Sequence, residues 1–254
     1  MSDRMGKKRI LILNGSPRKA KSTTLLATNA FVEGMVQAGG YVPETVHIAE
    51  LRITPCTGCL SCWGRTEGEC VIRNDDIPAL KQKILQADEL ICSFPLYYFG
   101  MPGQMKLMMD RLLSLVHAYQ GQNAPTDGSP AHGARYTHPW KKMILISGCA
   151  YNETELVYRP LLSQCDLVLG KGNYTAILCP QFKTMADNGG TRLARILQRF
   201  TAAGEEYVRE GALSEQTLNH MTRPPFSGEV YRTILEHVWS GEREKGTKND
   251  TSCH

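Results

Sequence analysis

No apolar run in this 254-residue sequence approaches the roughly 18 residues that a membrane-crossing helix needs. Basic tracts are missing too. The 29 lysines and arginines and 25 acidic residues give a net charge of +4 spread along the chain, which gives no support to nucleic acid or a membrane surface as partner. The first residues, Met1–Lys8, lack the apolar stretch of a signal peptide. No HExxH, no Ser/His/Asp order and no carboxylate pair stands out, so hydrolytic chemistry has no evident machinery. Neither G-x-x-x-x-G-K-[ST] nor G-x-G-x-x-G occurs at the turn most suited to phosphate, which makes a nucleoside triphosphate a poor candidate ligand. Internal repeats and low-complexity segments are absent as well. Cysteine, by contrast, is plentiful. Nine cysteines in a chain without a secretory leader argue for metal or redox chemistry over a disulfide framework, and for a cytoplasmic location.

What is present is alternation. With 42% hydrophobic residues the chain can bury one large core, or one core plus a small appendage. Strands are expected at Arg9–Asn14, Val42–Ile48, Glu89–Phe94, Met143–Ser147 and Tyr174–Cys179. Helices are expected between and after them at Thr23–Ala38, Ile77–Gln86, Gly103–Tyr119, Glu153–Leu169 and Gly190–Arg209. This β-α-β-α order predicts an α/β fold, a doubly wound five-stranded parallel sheet covered on both faces. In such sheets ligands bind outside the carboxyl ends of the strands, where strand order reverses. Three segments exceed the minimal fold: a cysteine-bearing insertion, Arg52–Asp76, a polar loop, Gln120–Pro139, and a tail, Ala212–His254. The expected division is a domain over 1–211 and an extension over 212–254, packed on that domain or on a partner subunit. The tail is read as one short helix, Val230–Trp239, and a fraying polar end, Gly241–His254.

Two loops carry the ligand signal. After the first strand, Asn14-Gly15-Ser16-Pro17-Arg18 leads to Ser22-Thr23-Thr24, with Ser22 placed to cap a helix. Hydroxyls of Ser16, Ser22, Thr23 and Thr24, the Arg18 guanidinium and free backbone N–H groups would surround an anion that the helix dipole favours. Several hydroxyls and one arginine suit a terminal monophosphate. After the third strand, Pro95, Leu96, Tyr97, Tyr98, Phe99 and Gly100 form an aromatic segment framed by prolines and glycines, suited to a planar heteroaromatic ligand. Ser147 and Gly148 after the fourth strand offer a small turn that a ligand can approach closely.

With these loops in order, the sequence resembles the flavodoxin-like NAD(P)H-dependent FMN reductase family. The resemblance rests on ILILNGSPR…STT, on SFPLYYFGMPGQMKLMMDR and on the SGCA turn, and covers roughly residues 8–210. It implies strand order 2-1-3-4-5, with Ser16, Arg18, Ser22, Thr23 and Thr24 on the FMN phosphate. It further implies that residues 95–100 line the ribityl chain and isoalloxazine, with Ser147 and Gly148 on the other side of the ring. The implied activity is transfer of hydride from NAD(P)H to FMN and of electrons onward to a small acceptor such as a quinone or flavin, or to a redox protein, in a homodimer or homotetramer. A non-catalytic FMN-binding electron carrier is the alternative.

Cys56-x2-Cys59-x2-Cys62-x7-Cys70 follows the second strand. Four thiols this close can enclose one metal centre, either a [4Fe–4S] cluster or a structural zinc; free thiols or a thiol pair are the other readings. The sequence also resembles the iron–sulfur flavoprotein subgroup, which carries a compact motif of this kind. That resemblance implies a cluster passing single electrons between FMN and ferredoxin-type carriers. Cys92 and Cys179 fall in strand patterns as buried apolar residues, Cys149 is a small packing residue of the flavin loop, and Cys165 and Cys253 have no evident partner. His117, His132 and His138, with Tyr119, Tyr136 and Trp140, form either a lid over the ring or an ordinary solvated loop.

Overall fold

The computed structural model describes residues 6–118, 132–140, 142–188 and 190–249, with only the backbone of 188 and 242–249. Residues 119–131 of the polar loop, including Tyr119, and Cys253 lie outside the described residues. Five parallel strands, β1 (Lys8–Asn14), β2 (Tyr41–His47), β3 (Glu89–Pro95), β4 (Met143–Gly148) and β5 (Tyr174–Cys179), form one sheet in the order β2-β1-β3-β4-β5. The helices are α1 (Thr23–Ala38), α2 (Ile77–Gln86), α3 (Gly103–Arg111), α4 (Glu155–Leu169), α5 (Phe182–Asn188), α6 (Gly190–Glu210), α7 (Glu215–Met221) and α8 (Gly228–Asn249). No helix among the described residues is long and apolar enough to cross a membrane.

The apolar runs are continuous because the sheet is covered on both faces. Ile10, Ile12, Ile91, Ile144, Ile146 and Ile177 point to one side, into a core with Phe31 and Met35 of α1 and Phe200 of α6. Leu11, Leu13, Leu90, Cys92 and Leu145 point to the other, against Leu80 of α2, Met105 and Met108 of α3 and Tyr158 of α4. β2 is an edge strand, where Pro43 costs no interior ladder bond. Helices α1 and α6 meet backbone to backbone: a Cβ at Gly34 would stand 1.8 Å from the carbonyl oxygen of Thr201, and one at Gly204 1.9 Å from that of Phe31.

Several boundaries depart from the sequence expectation. The helix expected over Gly103–Tyr119 stops at Arg111 and tightens into a 3-10 turn, Leu112–Leu115. The indole N–H of Trp63 donates to the carbonyls of Leu113 and Val116 (3.2 and 3.1 Å), which takes the chain out of the helical ladder. The short helices α5 and α7 escape periodicity arguments by their length. In the tail, α8 continues to Asn249 rather than ending at Trp239, in keeping with its good helix formers Glu, Arg and Lys. Tyr231 is buried and donates its hydroxyl to the carbonyl of Ala150 at 2.7 Å, and Met221 joins the core on the α1 face.

Candidate functional site

β1 ends in Asn14, and this fully buried side chain organises the loop that follows. Its Oδ1 accepts the N–H of Ser16 (3.1 Å), its Nδ2 donates to the carbonyl of Lys19 (2.9 Å), and Nδ2 also lies 2.9 Å from His47 Nδ1. Residues 15–19 therefore wrap around one amide, and Lys19 takes a left-handed conformation (φ +52°) to close the turn. Ser22 caps α1, its Oγ accepting the N–H of Leu25 at 3.3 Å. The N–H groups of Thr23 and Thr24 are left at the open end of the helix, where no intrahelical acceptor exists. Ser16, Ser22 and Thr24 are buried around that end and Arg18 is exposed beside it. The structure thus gathers all five residues singled out in this loop.

The segment after β3 is a tight reverse turn. The N–H of Tyr97 donates to Gly100 and that of Gly100 back to Tyr97, both at 2.9 Å, while Tyr98 (φ +48°) and Phe99 (φ +63°) are both left-handed. Left-handed backbone is disfavoured for side chains of this size by roughly 1–2 kcal/mol per residue, and such strain persists where surroundings or function require it. The consequence is an outward shelf of rings. Tyr98 is 100% exposed, Tyr97, Phe99 and Tyr151 are exposed, and the Phe99 and Tyr151 rings lie 5.9 Å apart. Pro95 closes β3, and Leu96 is held by its N–H to the carbonyl of Gly148 at 2.8 Å. Tyr151 joins this shelf although sequence reading did not single it out; its place in the Ser147–Tyr151 turn was the available signal.

On β4 the two small residues face opposite ways. A Cβ on Gly148 would stand 2.9 Å from Thr24 Oγ1, so glycine lets the start of α1 touch the strand. Ser147 is fully buried, and its Oγ accepts the Tyr158 hydroxyl at 3.0 Å on the α4 face. Its backbone, not its hydroxyl, is what borders the sheet's open end. Cys149 beyond it is buried, which raises its thiol pKa. Burial likewise pushes Cys92 up to about 12 and Cys165 up to about 11, so these behave as packing residues.

The insertion builds a second locus. Cys56, Cys59, Cys62 and Cys70 all line one small niche whose wall includes Arg111 and Asp110 of α3. Burial raises the Cys62 pKa, and so do the neighbouring thiols of Cys70, Cys56 and Cys59. Cys59, at the rim, is lowered by the backbone N–H and hydroxyl of Ser61. Among the described residues, no three side chains of metal-binding type sit close enough to share a single ion. Beneath the niche, fully buried Arg111 donates to Asp75 (2.5 and 3.3 Å) and to the carbonyls of Thr54 (2.6 Å) and Ile72 (2.8 Å), clasping both stems of the insertion to α3. Among the described residues its Nε has no hydrogen-bond partner. Sequence reading missed this clasp, because nothing in the spacing of Asp75 and Arg111 marks them as paired.

The described ends of the polar loop pack on this insertion and on α2, not over the aromatic shelf. Tyr136 donates to the carbonyl of Gly68 (2.9 Å) and receives Lys81 Nζ (3.0 Å), Trp140 donates to Ile84 O (3.0 Å), His138 stacks on Trp140, and the His132 ring lies tilted against Trp63, centroids 4.9 Å apart. His117 is tied back through its backbone to Gly133. Of the two alternatives, a lid over the ring or an ordinary solvated loop, the described residues form neither outright: they brace the cysteine insertion.

The chain is similar to several known proteins. An iron–sulfur flavoprotein of Archaeoglobus fulgidus is 38% identical over 103 residues, 41% of this chain and 44% of that protein. Another, from Methanocaldococcus jannaschii, is 33% identical over 126 residues, 50% of this chain and 62% of its own length. The chain thus aligns with about half the length of these relatives. Among solved structures, the NAD(P)H:quinone oxidoreductase of Methanothermobacter marburgensis superposes with a TM-score of 0.58 at 20% identity, covering 79% of this chain and 96% of that one. An FMN-dependent NADH-azoreductase from Bacillus anthracis gives 0.54 at 16% identity, covering 79% and 99%. At such identities these two share the fold. The family model for NADPH-dependent FMN reductases matches residues 8–159, from the first strand through both ligand loops and the cysteine insertion, and the chain belongs to that family.

Proposed function

We propose that the chain binds FMN at the carboxyl end of the sheet and acts as an oxidoreductase, taking hydride from NAD(P)H and passing electrons to a small acceptor such as a quinone or flavin. One observation carries this reading: the open N-terminus of α1, ringed by buried hydroxyls, faces the same end of the sheet as an outward shelf of aromatic rings. The residues fit the cofactor. The N–H groups of Thr23 and Thr24, the hydroxyls of Ser16, Ser22 and Thr24 and the Arg18 guanidinium would hold the phosphate. Residues 95–100 would border the ribityl chain and one side of the ring, and the Ser147–Gly148 backbone the other. FMN, when bound, supplies a ring that accepts hydride and gives up electrons singly or in pairs. The protein's part is to anchor the phosphate, fix the ring by the rigid Tyr97–Gly100 turn, and leave it reachable. A second copy covering this exposed shelf would make a homodimer or homotetramer, and residues 212–254 would act as an extension of the flavin domain over 1–211.

A second reading is supported by the thiol niche: an iron–sulfur flavoprotein in which a [4Fe–4S] cluster on Cys56, Cys59, Cys62 and Cys70 exchanges electrons with ferredoxin-type carriers. The donor chemistry suits it. The four cysteines line one niche and supply the all-thiolate donor set that a [4Fe–4S] cluster takes, as a structural zinc also does. Both readings are tested on anaerobically purified protein by FMN titration, metal analysis, and NADH or NADPH oxidation with quinone, azo-dye and nitroaromatic acceptors. Turnover with pyridine nucleotide supports the first reading. Bound iron with no pyridine-nucleotide turnover supports the second, and failure to bind FMN overturns both.

A further inference from the structure

A second concavity, of about 630 Å3, opens between α6 and the segment joining α7 to α8, and its character is different. Arg192, Arg195, Arg199 and Arg223 line it together with Phe226 and Asn152, and among the described residues no aspartate or glutamate does. On α6 the three arginines fall at i, i+3 and i+7, one face of the helix, beside the buried stripe of Ile196 and Phe200. None of the four has a carboxylate partner among the described residues. Four guanidiniums around one hollow repel one another unless an anion joins them, so the arrangement costs stability without a ligand and favours binding with one.

The walls are pre-positioned. Arg199 Nη1 donates to the carbonyl of His220 at 3.3 Å, and the Arg192 guanidinium lies 5.1 Å from the centre of the Phe226 ring. Fully buried Gln181, just past β5, locks the hollow to the carboxyl end of the sheet. Its Nε2 donates to Asn152 Oδ1 (2.6 Å) and to the carbonyl of Phe226 (3.1 Å), and its Oε1 accepts the N–H of Phe226 (2.9 Å). Asn152 directly follows Tyr151 of the aromatic shelf, so the hollow borders the proposed flavin site without sharing its phosphate loop. The volume falls within the range of small-molecule pockets and exceeds what one inorganic phosphate fills.

We propose that this hollow is a binding site for a nucleotide bearing two or more phosphate charges, the arginines taking the phosphates in bidentate fashion and Phe226 and the adjoining prolines the apolar body. The phosphates could belong to a pyridine dinucleotide reaching toward the flavin or to a separate effector nucleotide. Calorimetric titration of the FMN-saturated full chain with NADPH, NADH, 2′,5′-ADP and ADP separates the two sources. The double variant Arg195→Gln/Arg223→Gln, both at exposed positions, should fold normally, keep its FMN affinity and lose at least tenfold in affinity for these nucleotides. Competition between 2′,5′-ADP and NADPH identifies the dinucleotide as the source; ADP binding that leaves NADPH binding untouched identifies an effector. The proposal is overturned if none of the four binds at millimolar concentration, if the double variant binds them as the native chain does, or if only an acidic polypeptide such as polyglutamate binds. Because 2′,5′-ADP and ADP carry no nicotinamide and cannot reduce FMN, their titration reads binding directly, whether or not the protein turns over NAD(P)H.

Discussion

Arg18 stands exposed at the open end of α1, carrying the charge that the neighbouring hydroxyls lack. Arg18→Ala should weaken FMN binding by about 1–3 kcal/mol, a lost charge-assisted contact; unchanged affinity in titration calorimetry would remove Arg18 from the proposed phosphate site. Gly148→Ala would set a methyl group against Thr24 Oγ1, and overpacking of this kind costs about 1–3 kcal/mol. Its expected signature is a lower Tm together with weaker FMN binding, since the strained contact is at the mouth of α1. Glu89 offers a prediction in pH. Burial raises its pKa, opposed by the hydroxyls of Tyr207 (3.2 Å) and Tyr41 (3.4 Å), so the carboxyl holds its proton more tightly in the folded state than in the unfolded chain. A raised carboxyl pKa gives stability that is present in acid and lost as pH climbs through the carboxylate range. Glu89→Gln should therefore raise Tm at neutral pH and give no gain below the carboxylate range; a pH-independent effect would contradict this. At this scale the sequence showed the hydroxyls, the arginine and the rings, whose chemistry is local. It could not show Asn14 as the organiser of the loop or the left-handed Tyr98 and Phe99, because those roles are set by what the folded chain places around them.

Among elements, two contacts decide how the framework holds. The α1–α6 crossing has no room for a side chain at Gly34 or Gly204. The five strands and most of the helices were legible, since hydrophobic runs and capping residues are local signals; Ser22 is the case where residue, cap and helix start agree. The crossing itself was not, because a glycine in a helix reads only as a weak helix former until its partner is known. The Arg111–Asp75 clasp is the second contact. Burial alone would raise the Asp75 pKa, but Arg111 and the N–H groups of Thr54 and Ile77 hold it below the ordinary carboxylate value. Stability from a depressed carboxylate is present above the unfolded pKa and drains away as pH falls through the folded one. Arg111→Met leaves that carboxylate buried and unpaired, and removing one partner of a buried pair costs about 3–5 kcal/mol. Denaturant titration should show this loss at neutral pH, shrinking in acid as Asp75 protonates; a loss equal at both pH values would mean that Arg111 acts by packing alone.

Over the whole molecule, two redox-capable regions lie on separate structural supports. The β1–α1 loop and aromatic shelf are fixed by β1, β3, β4 and α1, whereas the cysteine insertion is held by α3, Lys81 of α2, Tyr136 and its own Trp63. Among the described residues no hydrogen bond joins residues 14–24 to residues 56–70. That separation makes the cysteine motif testable apart from the flavin. In Cys59→Ser/Cys62→Ser the insertion keeps its Arg111 clasp, so the fold and FMN binding should survive. If the four thiols hold an iron–sulfur cluster, the double variant loses all bound iron and the broad absorbance beyond the flavin bands, and electron exchange with a ferredoxin-type carrier falls at least tenfold while FMN affinity stays within about twofold. Native protein purified without oxygen and found free of iron, with thiols that titrate as four reduced cysteines, would sink the cluster and leave the niche as a thiol site. In that event the proposed electron path would end at the aromatic shelf, where the Tyr97–Gly100 turn holds Tyr98 and Phe99 outward in left-handed conformations.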